Sequence, residues 1–181
     1  MERRRRFRVV DLVKAQLSVP PADCRDLSYD GHTNSSVYQI YPFGTSKSPI
    51  KVYCDMETMD GGWTVIQKRL DGSPSFDRNW TEYKNGFGEP EGNVWIGDGM
   101  LKIGNSYVSL PGMSFTTSDR DNDRYDGVNC AVDLKGGWWF NICHHAFLNG
   151  PWSPQNWVNP WYPTIQTGAD IRGTIMMIKH H

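Results

Sequence analysis

The residues best suited to chemistry lie between positions 119 and 150, in the segment DRDNDRYDGVNCAVDLKGGWWFNICHHAFLNG. Asp119, Asp121 and Asp123 alternate along the start of this segment, and alternation turns several carboxylate oxygens to one side of the chain. Calcium takes six to eight oxygen ligands in flexible geometry, so the spacing predicts a calcium loop completed by backbone carbonyls. The alternative is a solvated loop of Asx turns. The positions of glycine and glutamate exclude an EF-hand.

Other chemistry in the segment is less well supported. His144 and His145 are adjacent, so their side chains point apart, and no third ligand is in phase to complete a zinc site. Two of the alternating carboxylates could be read as a glycosidase pair, but a loop of Asp, Asn and Gly is more typical of a metal site. The chain contains no GxSxG, HExxH or phosphate-loop motif. We therefore predict that the protein is not an enzyme.

The four cysteines, Cys24, Cys54, Cys130 and Cys143, form no CxxC motif, and their even number favours two disulfides in an oxidising compartment. Three pairings are possible, and the local one, 24–54 with 130–143, closes the shortest loops. Sequons at Asn34 and Asn79 agree with secretion and predict glycosylation. We predict a secreted protein, although residues 1–20 contain no apolar signal-peptide core.

Composition and periodicity predict the elements that must position this segment. The 181 residues fit one domain, and 18 Gly with 11 Pro indicate many turns. Residues 36–41, 50–54, 63–69 and 173–179 have strand patterns, and Phe76, Trp80, Tyr83 and Phe87 follow helical spacing. The net charge of -1 gives no argument for nucleic acid, and no apolar run is long enough to span a membrane. An α+β fold with small antiparallel sheets follows, with residues 1–20 as a tail and residues 21–181 as the domain.

Several motifs together resemble the fibrinogen C-terminal-like domain of fibrinogen chains, ficolins, tachylectins and ixoderins. They are residues 36–42 (SVYQIYP), 52–56 (VYCDM), 61–67 (GGWTVIQ), 80–88 (WTEYKNGFG), 95–97 (WIG), 119–130, 137–139 (GWW), 143–144 (CH), 148–150 (LNG) and 176–179 (MMIK). The resemblance implies that family's fold and the local disulfide pairing. Ficolin-type, tachylectin-type or ixoderin-type lectins are the members that we expect to be most similar. The family's central sheet is missing between Gly97 and Leu101, which indicates an internal deletion.

The resemblance also implies a set of site residues. Calcium would be bound by the side chains of Asp121 and Asp123 and by the carbonyls of Tyr125 and Gly127, although one extra residue precedes Cys130. Acetyl groups would be bound by backbone donors around a cis peptide before the second cysteine of the pair. These pocket residues are Ile142, Cys143 and His144, with Leu134 at the usual aromatic wall position and Trp157 as a replacement wall.

Such a site implies calcium-dependent recognition of N-acetylated sugars or microbial surface glycans, as in innate immunity. Since lectins of this type gain strength by multivalency, a homo-oligomer is one expectation, although residues 1–20 show no coiled-coil heptads. Two alternatives remain. The domain is a protein-binding module like that of clotting fibrinogen, or it is a non-functional, truncated paralogue.

Overall fold

The fold is organised around one strand in the computed structural model, which describes residues 19–97, 113–143, 147–152 and 173–180. This strand, β3 (Trp63–Arg69), is buried at five of its seven positions because other elements cover both of its faces. The remaining elements are α1 (Cys24–Tyr29), β1 (Ser36–Ile40), β2 (Ile50–Asp55), α2 (Trp80–Asn85), β4 (Phe87–Gly88), β5 (Val94–Trp95), α3 (Cys130–Leu134) and β6 (Thr174–Ile178).

The described strands form one antiparallel sheet in the order β1-β2-β3-β5-β4, with β6 also paired to β3. The start of β3 pairs with β2 (Cys54 opposite Thr64), and its end pairs with β5 (Gln67 opposite Trp95). Along its other edge β3 pairs with β6, the last strand of the chain. The predicted α+β class and the four predicted strands are therefore confirmed, each strand to within one residue at either end.

The predicted helical stripe is only partly helical. Helix α2 begins after Asn79, whose side chain accepts the Glu82 amide proton in a capping box, and it ends at Gly86, which has φ +85°. The ring of Phe87 lies beyond the helix yet still packs edge-on against Tyr83, with 5.2 Å between the centroids. The aromatic spacing therefore marks residues that pack together, whereas the caps decide where the helix stops.

Two hydrophobic clusters fill the described part of the molecule. The smaller one surrounds the Cys24–Cys54 disulfide between α1 and the sheet. The larger one is mainly aromatic and brings together buried residues from separate segments: Phe76, Tyr83, Trp95, Cys130, Ala131, Leu134, Trp138, Trp139, Phe140, Phe147 and Leu148. Large aromatic side chains stabilise this core, because each buries a large apolar surface area and packs edge-to-face with its neighbours.

Both predicted disulfides are present, with Cα–Cα distances of 5.5 Å for Cys24–Cys54 and 5.3 Å for Cys130–Cys143. Among the residues described, no helix has both the length and the apolar character needed to cross a membrane. Most of the predicted tail, and the junction after Gly97 where an internal deletion is predicted, lie outside the described residues.

Polar side chains from β3 anchor the segment that follows the second disulfide. Gln67 is fully buried and donates from Nε2 to the Leu148 carbonyl (3.3 Å) and to Asn149 Oδ1 (3.1 Å). Asn149 in turn donates to the Gly137 carbonyl (3.0 Å). Because buried amides are costly without partners, this chain of hydrogen bonds fixes residues 137 and 147–150 against the centre of the sheet.

Candidate functional site

The aspartate-rich loop is held at its start by a short antiparallel bridge. Thr116 donates its amide to the Trp138 carbonyl (2.8 Å), and Trp138 donates to the Thr116 carbonyl (3.1 Å). Asn122 closes the loop over this bridge, because its amide reaches Thr116 Oγ1 (3.1 Å) and its side chain reaches the Phe115 carbonyl (2.8 Å). The predicted calcium ligands therefore extend from a rigid base in the aromatic core.

The two predicted calcium carboxylates also accept backbone hydrogen bonds. Asp121 Oδ1 accepts the Asp123 amide proton (3.2 Å). Asp123 accepts from Tyr125 (2.8 Å) through Oδ1 and from Cys130 (2.9 Å) through Oδ2, so it ties the loop to the start of α3. Each ionised oxygen can accept a second partner, so these bonds leave positions for a cation.

The two predicted carbonyl ligands lie in the turn that follows. The Tyr125 carbonyl accepts the Val128 amide proton (3.0 Å) and retains a second lone pair. Gly127 has φ +77°, with open space around the position of a Cβ atom. Asp121, Tyr125 and Gly127 are exposed and Asp123 is half-buried. This all-oxygen donor set suits a hard cation such as calcium, so the residues present fit the metal. The assignment of calcium to them stays a prediction.

Asp119 is not part of this donor set. Its Oδ1 accepts the Trp80 amide proton (2.8 Å) and the Thr117 hydroxyl (2.7 Å), and the neighbouring Arg120 guanidinium lies 4.0 Å from the centroid of the Trp80 ring. Desolvation raises the pKa of the Asp119 carboxyl, but the hydrogen bonds from Thr117 and Trp80 outweigh it and keep that pKa below its ordinary value. Asp119 therefore fastens the loop to α2.

The structure corrects the backbone expected for an acetyl pocket. Within the described residues the one cis peptide is Ser73–Pro74, so the Ile142–Cys143 peptide is trans. Cys143 instead has φ +55°, and its carbonyl accepts the Asn141 amide proton (3.0 Å). A non-proline cis bond costs about 3–4 kcal/mol, and this left-handed turn brings Cys143 to Cys130 without it.

The one expected wall residue of that pocket that the structure describes is not at the surface either. Leu134 is only 6% exposed and belongs to the aromatic core, so it is not a surface wall, because α3 turns it inward. His144 and Trp157 lie outside the described residues. The two sequon asparagines, Asn34 and Asn79, are both exposed, although Asn79 also caps α2.

The loops around the second disulfide expose apolar side chains that sequence reasoning did not identify as a group. Tyr125 is 43% exposed, Val132 42% and Ile142 68%. Their segments are joined by the Cys130–Cys143 disulfide and by a hydrogen bond from the Arg124 amide to the Asn141 carbonyl (3.0 Å). We call these three residues the loop surface. The sequence gives little indication of this surface. Which of the apolar residues of α3 is exposed, Val132 or Leu134, depends on the rotation of the helix about its axis.

A second cluster missed by sequence reasoning links the two ends of the described chain. Asp23, Asp26 and His180 bring their potential ligand atoms within 4.8 Å of one another. Asp23 is explained by its role as N-cap of α1, since its Oδ1 accepts the Arg25 (2.8 Å) and Asp26 (3.1 Å) amide protons. Its other oxygen contacts His180 Nδ1, so the cluster connects the start of α1 to the residues that follow β6.

Similarity to known proteins identifies the family of this chain. The family model for the C-terminal globular domain of fibrinogen beta and gamma chains matches residues 20–105 and 97–178. The chain belongs to this family. Dog angiopoietin-2 is 36% identical over 212 residues, and human angiopoietin-2 is 35% identical over the same length. Each alignment covers 87% of this chain and 42% of the relative, so the chain spans about two fifths of those proteins.

Other fibrinogen-related proteins are also similar to the domain. Fibrinogen-like protein 1 from cattle is 37% identical over 71% of this chain and 60% of its own length. The solved fibrinogen-like globe domain of human ANGPTL2 superimposes with a TM-score of 0.77 at 32% identity, over 88% of this chain and 99% of that one. A lamprey fibrin D-dimer, solved with the peptide Gly-His-Arg-Pro-amide, shares the fold at 23% identity and a TM-score of 0.68.

These findings confirm the family, and with it the secreted localisation predicted from the cysteines. They correct the finer resemblance, because the relatives are angiopoietins and fibrinogen-like proteins instead of ficolins, tachylectins or ixoderins. The alignments to angiopoietin-2 run over 212 positions and thus exceed the 181-residue chain, so they place gaps in it. The two family matches overlap over residues 97–105.

Proposed function

We propose that this domain is a protein-binding module of an extracellular, angiopoietin-like member of the fibrinogen-related family. The observation that carries the proposal is the loop surface, where Tyr125, Val132 and Ile142 expose apolar area beside a disulfide. Exposed apolar side chains grouped on an ordered surface are characteristic of protein contacts. The angiopoietin-type relatives support this function over sugar recognition.

The geometry around Cys143 argues in the same direction. Acetyl recognition needs accessible backbone donors and an apolar wall for the methyl group. Leu134 at the wall position is buried in the core, while Ile142 projects an exposed apolar side chain next to the expected donors. An exposed, partly apolar surface of this kind suits a protein partner better than an acetylated sugar.

Calcium has a supporting role in this proposal. Bound by Asp121, Asp123 and the carbonyls of Tyr125 and Gly127, it would fix the turn that carries the Tyr125 ring. The same turn contacts the segment of Ile142 through the hydrogen bond between Arg124 and Asn141 (3.0 Å). Calcium binding would therefore order two of the three residues of the loop surface, and partner binding would become calcium-dependent.

The test compares protein and sugar ligands with a single surface variant. The oxidised protein is immobilised with calcium and probed with a panel of purified extracellular receptor domains and, separately, with N-acetylglucosamine beads. We expect a receptor domain to bind, and Ile142→Ser to weaken its affinity by about tenfold or more, as truncation of an interface anchor does. The control is Met59→Ser, because Met59 is 86% exposed and lies in the β2–β3 connection.

Two results would overturn the proposal. Retention on N-acetylglucosamine with release by chelator, unchanged in Ile142→Ser, would establish a lectin instead. Absence of a cooperative unfolding transition at every calcium concentration would show a truncated, non-functional domain.

A further inference from the structure

A buried arginine outside the loop surface has no carboxylate of the described residues in direct contact, although Asp71 acts on its charge from a longer distance. Arg69, the last residue of β3, is 3% exposed. Its Nη1 donates to the carbonyls of Leu148 (3.2 Å) and Gly150, while its Nε is buried without an acceptor. No carboxylate of the described residues lies within ion-pair distance of it. Buried charges are normally paired, so the missing partner requires an explanation.

Aromatic rings contact the faces of this guanidinium, but they do not satisfy the N–H groups at its edge. Its central carbon lies 4.4 Å from the centroid of the Phe76 ring and 5.3 Å from that of Trp152. Rings stabilise a cation through their faces, yet they cannot accept the in-plane hydrogen bond of Nε. Burial lowers the pKa of Arg69 to about 10, which leaves the side chain charged at neutral pH.

Arg69 lines a cavity of about 270 Å³. Phe76, Pro151 and Trp152 supply its apolar walls, and Lys135 adds a second cation. Asp77 is the one acidic residue among the described residues that line it, so positive charge exceeds negative charge in the described part of the lining. Lys135 is exposed and has φ +58° at the end of α3, which places this cation where the helix ends.

We propose that this cavity binds the carboxylate side chain of an acidic residue, of the glutamate type, presented by a protein partner. A planar carboxylate matches the guanidinium fork and would give the buried Nε its missing acceptor. The apolar walls suit the methylene groups that precede the carboxylate, and Lys135 adds attraction from the solvent side. This site goes beyond the loop surface and is formed by other segments of the chain.

The experiment uses a free amino-acid derivative, so its outcome does not depend on the partner or on the loop surface. The complete oxidised chain is labelled with ¹⁵N-arginine, and the Nε–H signal of Arg69, assigned through its backbone, is followed during titration. The probe is N-acetyl-glutamate N-methylamide, and the matched probe is the glutamine analogue, which has the same shape without the charge. We expect a saturable shift with the first probe and none with the second.

A pair of surface variants tests the geometry. Lys135→Asn keeps a residue type that tolerates positive φ and should weaken probe binding about three- to tenfold. Lys84→Gln removes an exposed cation from α2, away from the cavity, and should leave binding unchanged. The proposal is overturned if the glutamate probe gives no shift, if the glutamine probe shifts the signal equally, or if both variants weaken binding alike. Displacement of the probe by an equal concentration of sulfate would also overturn it, since that would indicate a general anion site.

Discussion

The Asp123 carboxylate accepts hydrogen bonds from two separate places in the chain, whereas the Asp121 carboxylate accepts one from a residue two positions away. The Asp123 carboxylate accepts amide protons from Tyr125 and from Cys130, the first residue of α3, while Asp121 accepts one from Asp123. A carboxylate can therefore serve the fold, the metal or both. The two roles separate when calcium is removed.

We predict that, in chelator, Asp123→Ala lowers the free energy of unfolding by about 1–3 kcal/mol, because it leaves the amide of the buried Cys130 without its acceptor. Asp121→Ala should cost less than about 1 kcal/mol, since its hydrogen bond to the Asp123 amide is exposed to solvent. Calcium should then stabilise the parent chain but neither variant. Urea unfolding with and without calcium measures both effects. Equal losses in chelator would contradict the structural role of Asp123, and stabilisation of both variants by calcium would contradict the ligand assignment.

The same contrast shows what could be predicted about single residues. The spacing of Asp121 and Asp123 is visible in the sequence because calcium loops are local. The burial of Leu134 is not, because it depends on how α3 packs against rings contributed by distant segments. The trans peptide before Cys143 was also missed, since a left-handed turn and a cis bond are alternative ways to close one disulfide.

Helix α2 is a six-residue element that depends on its caps. A helix this short is unstable alone, so the capping box of Asn79 and Glu82 and the Asp119–Trp80 contact must fix it. Asn79 is at the same time the asparagine of a sequon. Its Oδ1 accepts from Glu82, whereas a glycan would be attached to the nitrogen.

We predict that Asn79→Ala destabilises the unglycosylated domain by about 1 kcal/mol, because the Glu82 amide in the first turn of α2 loses its acceptor. Thr81→Ala removes the same sequon and leaves the cap, so it serves as the matched control and should change stability little. Thermal unfolding of the bacterially produced variants measures the difference. A loss in Thr81→Ala as large as that in Asn79→Ala would show that the cap is not the cause.

At this scale the four predicted strands were located to within one residue at either end, whereas the length of helix α2 was not predictable. Strand patterns in the sequence located the four strands, although β3 is covered on both faces and its burial does not alternate. The aromatic spacing from Phe76 to Phe87 suggested a longer helix than α2. Packing around Tyr83 imposes that spacing across helix, loop and strand, so periodicity alone overestimated the helix.

Across the whole molecule, the connection before β3 is tied to the end of β6 by charge. Asp60 contacts both Arg25 (3.2 Å) and Lys179, and Lys179 also donates to the Gly61 carbonyl (2.9 Å). The hydrogen bond from Lys179, followed by that from Arg25, lowers the pKa of Asp60 from 3.8 to about 2. No local sequence pattern predicts contacts between residues so far apart, so this closure was not anticipated.

A carboxyl whose pKa is lower in the folded state stabilises the fold above its unfolded value and loses that contribution as the pH falls. For Asp60 the loss should occur between about pH 4 and pH 2. We predict that Asp60→Asn flattens the fall in stability across this window and leaves stability near neutral pH only slightly lower, since the group is exposed. Urea midpoints measured at several pH values test this. Asp30→Asn is the control, and an unchanged acid slope in Asp60→Asn would contradict the expectation.

The contact between Asp23 and His180 has a mechanical consequence for the domain. Tension applied at residues 23 and 180 enters and leaves the fold at adjacent points, next to the paired ends of β3 and β6. Such a pull would separate the β3–β6 hydrogen bonds one after another instead of shearing them together. The aspartate-rich loop and the loop surface lie outside that path, so they would keep their geometry at first. Arg69 is paired with Thr174 at the far end of the same ladder, so its cavity would be reached last.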